Sequence, residues 1–194
     1  MEPRISIVEG LIVLCILGFY VAIAAAIVIV VIWWRQRSEV RRVELADIRE
    51  WQRDNFRITT DQTTMDAGAI REMLSRAYWW SSGIDRETVE RAMRYSLCFG
   101  LFDGERQIGY LRYATDHTRF AYLMDVYVLE EYRGQGLGTW LVGSSLEHPD
   151  IARCRRLLLT THNAQGFYRQ FGFGELPHPE HWMDRYREDS TSQS

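Results

Sequence analysis

Between Val126 and Thr139 the sequence reads V-Y-V-L-E-E-Y-R-G-Q-G-L-G-T, an apolar strand-like run leading into three glycines on alternate positions and then a helical pattern. Glycine lets the backbone wrap closely around an anion. The amides in the first turn of a helix starting near Leu137 have no acceptor inside that helix, and its dipole favours negative charge there. The chemistry expected of Arg133, Gly134, Gln135, Gly136, Leu137, Gly138 and Thr139 is that of a pyrophosphate cradle, a tight strand-to-helix turn being the plainer reading of the same glycines. Two well-known phosphate loops are excluded. The 23 basic residues are all arginine, so no GK[ST] loop exists, and neither a lysine Schiff base nor a lysine general base is available. The spacing is G-x-G-x-G rather than the dinucleotide-binding G-x-G-x-x-G, and the following strand ends in Thr160-Thr161 with no carboxylate for a ribose.

Other side chains have types suited to proton transfer. Asp125 is the single charge in the apolar run Phe120–Leu129. A buried carboxylate there would be disposed to accept a proton unless paired, and a structural ion pair with an arginine such as Arg112 is the equal alternative. Tyr168 lies on the stripe Ala164, Phe167, Tyr168, Phe171, which as bare periodicity describes a core aromatic. Tyr78, Trp79 and Trp80 form an aromatic-rich loop. Cys15, Cys98 and Cys154 are widely spaced without a C-x-x-C, and His178 and His181 flank a proline with too few ligands nearby, so no metal site is expected. A formal net charge of -3 leaves no basic footprint for a nucleic acid.

The elements that must position these residues follow from periodicity. A short strand is predicted at 56–60. A helix carries Ile70, Met73, Leu74 and Ala77, and a second starts after Asp85 as N-cap with Val89, Ala92, Met93 and Ser96 on one side. Three strand-like runs at 97–102, 107–115 and 120–129 read as an antiparallel meander. A helix over 137–147 stopped by Pro149, a strand at 156–160 and a helix over 163–171 capped by Gly172 close an α+β or mixed α/β domain.

At this point the sequence resembles the GNAT superfamily of N-acetyltransferases, small bacterial type. Arg133, Gly136 and Gly138 fill that family's (Q/R)-x-x-G-x-(G/A) motif, and Asn163 through Phe173 is similar to its closing A-x-x-x-Y-x-x-x-G-F segment. The resemblance covers residues 57–184. It implies a central, mostly antiparallel sheet whose fourth strand splays from its fifth, with flanking helices. It further implies acetyl-CoA as cosubstrate, with backbone groups of Tyr127 and Val128 on the pantetheine, residues 133–139 on the pyrophosphate, and Asn163 beside the cofactor. Tyr168 would give a proton to the leaving thiolate, Asp125 would be the candidate base, and Tyr78, Trp79 and Trp80 would flank an amine acceptor. Family members commonly show D-A-H where this chain has Asn163-Ala164-Gln165, so the acid and histidine of that triplet are missing here.

The N-terminal third has a different composition. Residues 10–34 contain no charged side chain and end in Trp33-Trp34, which as a helix of about 37 Å would cross a hydrocarbon core of about 30 Å. Arg35, Arg37, Arg41, Arg42, Arg49 and Arg53 follow within 20 residues, against Arg4 alone before the segment, which places everything after Trp34 on the cytoplasmic side. The expected organisation is a short extracytoplasmic tail (1–9), a transmembrane helix (10–34), a charged juxtamembrane helical stalk (35–56), the acetyltransferase-like domain (57–186) and a disordered tail (187–194). The function this implies is acetyl-CoA-dependent N-acetylation of an amine by direct attack in a ternary complex at the membrane. The rival is a degenerate acyl-CoA-binding or sensing module tethered to the same bilayer. The acceptor, and whether two copies of the chain pair, are left open by the sequence.

Overall fold

The computed structural model describes residues 18–33, 48–77 and 83–185. The chain divides into two units, residues 1–49 and 50–194. In the first, residues 18–33 form a helix, α1, whose described residues are all exposed, with Phe19, Val21, Ile27 and Val30 among them. Among the described residues no helix is long and apolar enough to cross a membrane. The 16 residues of α1 span about 24 Å. The rest of the predicted 10–34 segment lies outside the described residues.

The second unit is built on one six-stranded sheet whose strands lie side by side in chain order: β1 (Glu50–Arg53), β2 (Phe56–Thr59), β3 (Leu97–Asp103), β4 (Arg106–Thr115), β5 (Phe120–Val128) and β6 (Arg156–Leu158). β1 to β5 are antiparallel neighbours, and β6 runs parallel to β5. A parallel pair needs a long crossover, supplied here by α4 (Leu137–Leu146) and α5 (Pro149–Ala152). Between β2 and β3 lie a 3-10 turn (Gln62–Thr64), α2 (Ala67–Ala77) and α3 (Arg86–Arg94), and α6 (Gln165–Arg169) follows β6.

Two elements differ from the sequence reading. Residues 50–53, expected at the end of a helical stalk, are instead a strand, and the domain starts at Glu50. The Asp54-Asn55 turn, with Asp54 left-handed at φ 55°, folds β1 back on β2. Trp51 then packs on Phe99, ring centroids 5.9 Å apart, and donates from Nε1 to Glu147 Oε2 at 3.3 Å. A stretch without proline or glycine is compatible with a helix, but burial of Trp51 on the sheet overrides that weak local preference. Pro149, read as a stop, is also the first residue of α5, with the His148 ring as N-cap accepting from the Asp150 amide at 3.2 Å.

Alternation along β3 and β4 sorts the core into two layers. Cys98 and Tyr110 meet each other at 3.1 Å on the side where the Cys98 thiol also reaches the Met93 carbonyl of α3. Phe99 and Tyr113 point the other way, with Phe99 edge-on to His148 and the Tyr113 hydroxyl 2.9 Å from Ser145 Oγ of α4. Ile70, Met73, Leu74, Val89 and Met93 cover the first side, and Leu141, Val142 and Ile151 belong to the same buried core. Burial pushes the Cys98 thiol up to about 11, so it is a packing group rather than a nucleophile.

Candidate active site

The sheet opens where β5 loses a neighbour. β6 pairs with it only at Phe120, Ala121 and Tyr122, so among the described residues the half of β5 from Leu123 to Val128 has no β6 partner. On the β4 side Arg112 pairs with Met124 and Tyr110 with Tyr127, so Asp125 and Val126 together face Leu111 alone. This is a β-bulge, and Asp125 takes its left-handed position at φ 56°. The sheet closes tightly again just beyond: a Cβ on Gly109 would lie 2.9 Å from the Tyr127 carbonyl oxygen, an approach only glycine permits.

Asp125 is held in the bulge by charge. Its carboxylate accepts from Arg112 Nε at 2.5 Å, the two side chains are 7% and 16% exposed, and Arg112 Nη1 also donates to Ser96 Oγ at 3.1 Å. Of the two roles left open by the sequence, the ion pair with Arg112 is formed. Neither glutamate that follows the strand is better placed as a base: Glu130 is exposed and faces Arg133, while Glu131 accepts from Arg106 at 2.8 Å and is held below the ordinary carboxylate range by a backbone amide and that arginine. Asp125→Asn keeps the volume and tolerates the left-handed backbone, yet leaves a largely buried guanidinium without its counter-charge. We expect a loss of about 3 kcal/mol in unfolding free energy with the shape of the pH–rate profile unchanged. Wild-type stability together with activity that recovers only at high pH would instead make Asp125 the base.

After β5 a 3-10 turn (Glu130–Tyr132) leads into the glycine loop. Gly134 and Gly136 sit at φ 78° and 73°, Gly136 being the N-cap of α4. Among the described residues the amides from Gly134 to Thr139 donate to no protein acceptor, and the first bond of the helix is Trp140 N–H to the Gly136 carbonyl at 3.0 Å. The Arg133 amide is already used, by the Glu130 carbonyl. Its guanidinium turns inward, donating from Nε to the Val128 carbonyl at 3.1 Å and lying over the Tyr127 ring. Arg133 therefore braces the strand-to-loop junction, and the open donors begin at Gly134.

Tyr168 lies on α6. Its ring is edge-on to Phe167 at 5.0 Å and to Phe173 at 6.1 Å, and the Phe173 amide donates to its carbonyl. A Cβ on Gly138 would lie 3.9 Å from both Phe167 Cζ and Val128 Cγ2. Phe167, the neighbour of Tyr168 on α6, thus lies close to both the glycine loop and the end of β5. Asn163 is exposed in the turn between β6 and α6. Tyr78, Trp79 and Trp80 lie outside the described residues. His178, Glu180 and His181 come together on the surface, with ligand atoms within 4.8 Å of one another, all three exposed. One residue that the sequence reading placed in the stalk reaches the site: Arg53 of β1 donates from Nη2 to the Gln135 carbonyl at 3.0 Å. The Asp54-Asn55 pair, as a two-residue hairpin turn, was the available signal.

The site is therefore built from a bulged β5 that pairs with β6 over only three residues and a glycine loop at the N-terminus of α4. Residues 45–173 match the profile of the acetyltransferase (GNAT) family, and the chain belongs to that family and is an N-acetyltransferase. A crystal structure of a Xanthomonas campestris pv. campestris protein assigned to the GNAT family is similar over 68% of this chain and 93% of that one, with 39% identity and a TM-score of 0.66. A Gibberella zeae protein named as an acetyltransferase is 28% identical over 153 residues, 67% of this chain and 85% of its own. The Bos taurus thialysine N-epsilon-acetyltransferase is 34% identical over 77 residues, 38% of this chain and 45% of that protein.

Proposed function

We propose that the chain transfers the acetyl group of acetyl-CoA directly to an amine in a ternary complex, and that it does so tethered to a membrane. The observation that carries the transfer is the run of unused amides at the N-terminus of α4, next to the half of β5 that β6 leaves unpaired and with Phe167 of α6 close to Gly138. The diphosphate would lie on the amides from Gly134 to Thr139 and the pantetheine along the β5 edge at Tyr127 and Val128. An N–H of that edge would then polarise the acetyl carbonyl as charge develops on its oxygen. The amine nitrogen attacks the carbonyl carbon, the C–S bond breaks, and the Tyr168 hydroxyl gives its proton to the departing thiolate. With Asp125 committed to Arg112, the amine loses its proton to water, so kcat/KM for the acceptor should climb with pH toward the acceptor's own pKa, about 10 for an alkyl amine. The bovine relative's name records an ε-amine of thialysine, which supports a primary alkyl amine as the acceptor class. Release of free CoA thiol that depends on an added amine tests the transfer.

The tether rests on the uncharged run 10–34 and the exposed apolar α1 within it. Because Arg53 belongs to β1, the orienting charge reduces to the arginines at 35, 37, 41, 42 and 49, still in excess over Arg4. A reporter fused after Ser194 should be shielded from protease added to intact cells and should sediment with membranes. A reporter that is cleaved reverses the orientation, and one that stays in the supernatant removes the tether.

A further inference from the structure

We infer that Arg53, which lies outside the glycine motif, is a diphosphate-binding residue of the acetyl-CoA site. The inference rests on the reading that acetyl-CoA occupies the glycine loop. Three contacts set its position. Arg53 Nη2 donates to the Gln135 carbonyl at 3.0 Å, Nη1 lies 4.0 Å from where a Cβ of Gly136 would be, and Cζ sits 5.5 Å from the Trp140 ring centroid. The guanidinium is therefore clipped to the rim of the loop whose amides are unused and braced by the first turn of α4. Among the described residues no carboxylate is within ion-pair distance of it, whereas Arg57, Arg86, Arg106 and Arg112 each hold one. A guanidinium carries five donors, and the recorded hydrogen bond takes one.

The placement follows from the local sequence. Trp51 and Arg53 are two apart on one strand and so share a face, which lies against α4: Trp51 reaches Glu147 past the helix end and Arg53 reaches Trp140 and the loop before it. The two-residue turn at Asp54-Asn55 fixes the strand there. The guanidinium is exposed, with the Gln135 carbonyl and the Trp140 ring beside it, and two adjoining phosphates would match both its charge and its planar fork. Loop amides and arginine would then grip the diphosphate together, the amides as a fixed floor and Arg53 as a side wall that the hairpin supplies.

The test uses the full chain in detergent micelles, titrated calorimetrically with CoA and with 3′-dephospho-CoA, which share the diphosphate and differ only in the 3′-phosphate. Arg53→Gln should weaken both by about the same factor, roughly tenfold for loss of a charge-assisted pair, with the deficit shrinking as salt is raised. Arg53→Lys keeps the charge without the fork and should fall between, and it carries the comparison should Arg53→Gln fail to fold by its melting curve. Weakening of CoA alone would assign Arg53 to the 3′-phosphate and overturn the proposal, as would equal affinities for wild type and variant, which would leave Arg53 as a brace. Wild-type protein that binds neither ligand would overturn the acetyl-CoA reading itself. Wild-type binding with an unaffected variant sinks only the role of Arg53.

Discussion

Gly138→Val is expected to lower acetyl-CoA affinity by about 100-fold or more while the chain remains folded. Gly138 is not in a left-handed conformation, and a Cβ there meets nothing closer than 3.9 Å, so the fold can accept the added carbon. What it cannot keep is the open approach to the first amides of α4, which the valine branches cover. Losing two charge-assisted hydrogen bonds at about 1.5 kcal/mol each corresponds to that factor. Gly134 and Gly136 are poorer probes, because their positive φ makes any side chain strained whether or not a ligand binds. Calorimetry together with a melting curve decides the matter, and a folded Gly138→Val with unchanged affinity would remove the loop from the binding site.

Tyr168→Phe should reduce kcat by roughly 100-fold, the usual worth of a positioned general acid, with KM for acetyl-CoA changed by no more than about twofold. Phenylalanine preserves the ring that packs edge-on to Phe167 and Phe173. The loss should also be smaller with an acetyl thioester whose thiol is more acidic, since a better leaving group needs less help. A tyrosine that only packs would show full turnover and a lower melting temperature, the opposite pattern.

The parts of this site that are legible in the sequence are those written in short-range chemistry. Alternate glycines before an apolar helix need a loop that approaches something closely, and the loop has its positive φ values at Gly134 and Gly136. The apolar alternation of 97–102, 107–115 and 120–129 places the three central strands within a residue or so of their ends. The lone Asp125 in an apolar strand is a conspicuous residue, but composition does not say whether Arg112 is its neighbour. That depends on a one-residue bulge, which shifts register without any signature in residue type. The β1 hairpin is hidden for a related reason: its stabilisation comes from Trp51 and Arg53 against α4, more than 80 residues away in sequence, and nothing within 50–53 itself favours a strand over a charged helix. Arg133 shows a third kind of gap. Its place in the motif assigns it to the pyrophosphate loop and says nothing of its side chain, whose guanidinium is folded back on Val128 and Tyr127 after the turn at 130–132.

The most direct test of direct acetyl transfer is to incubate the full chain with acetyl-CoA labelled in the acetyl group, first alone and then with a polyamine, an aminoglycoside, free amino acids and a lysine-containing peptide in turn. The account predicts that the protein alone acquires no label, and that one of the amines yields an N-acetyl product in a one-to-one ratio with free CoA thiol. Label fixed on the protein before any amine is added would contradict the ternary complex. Tight acetyl-CoA binding without product from any of these amines would contradict the enzyme and leave a tethered acyl-CoA-binding module.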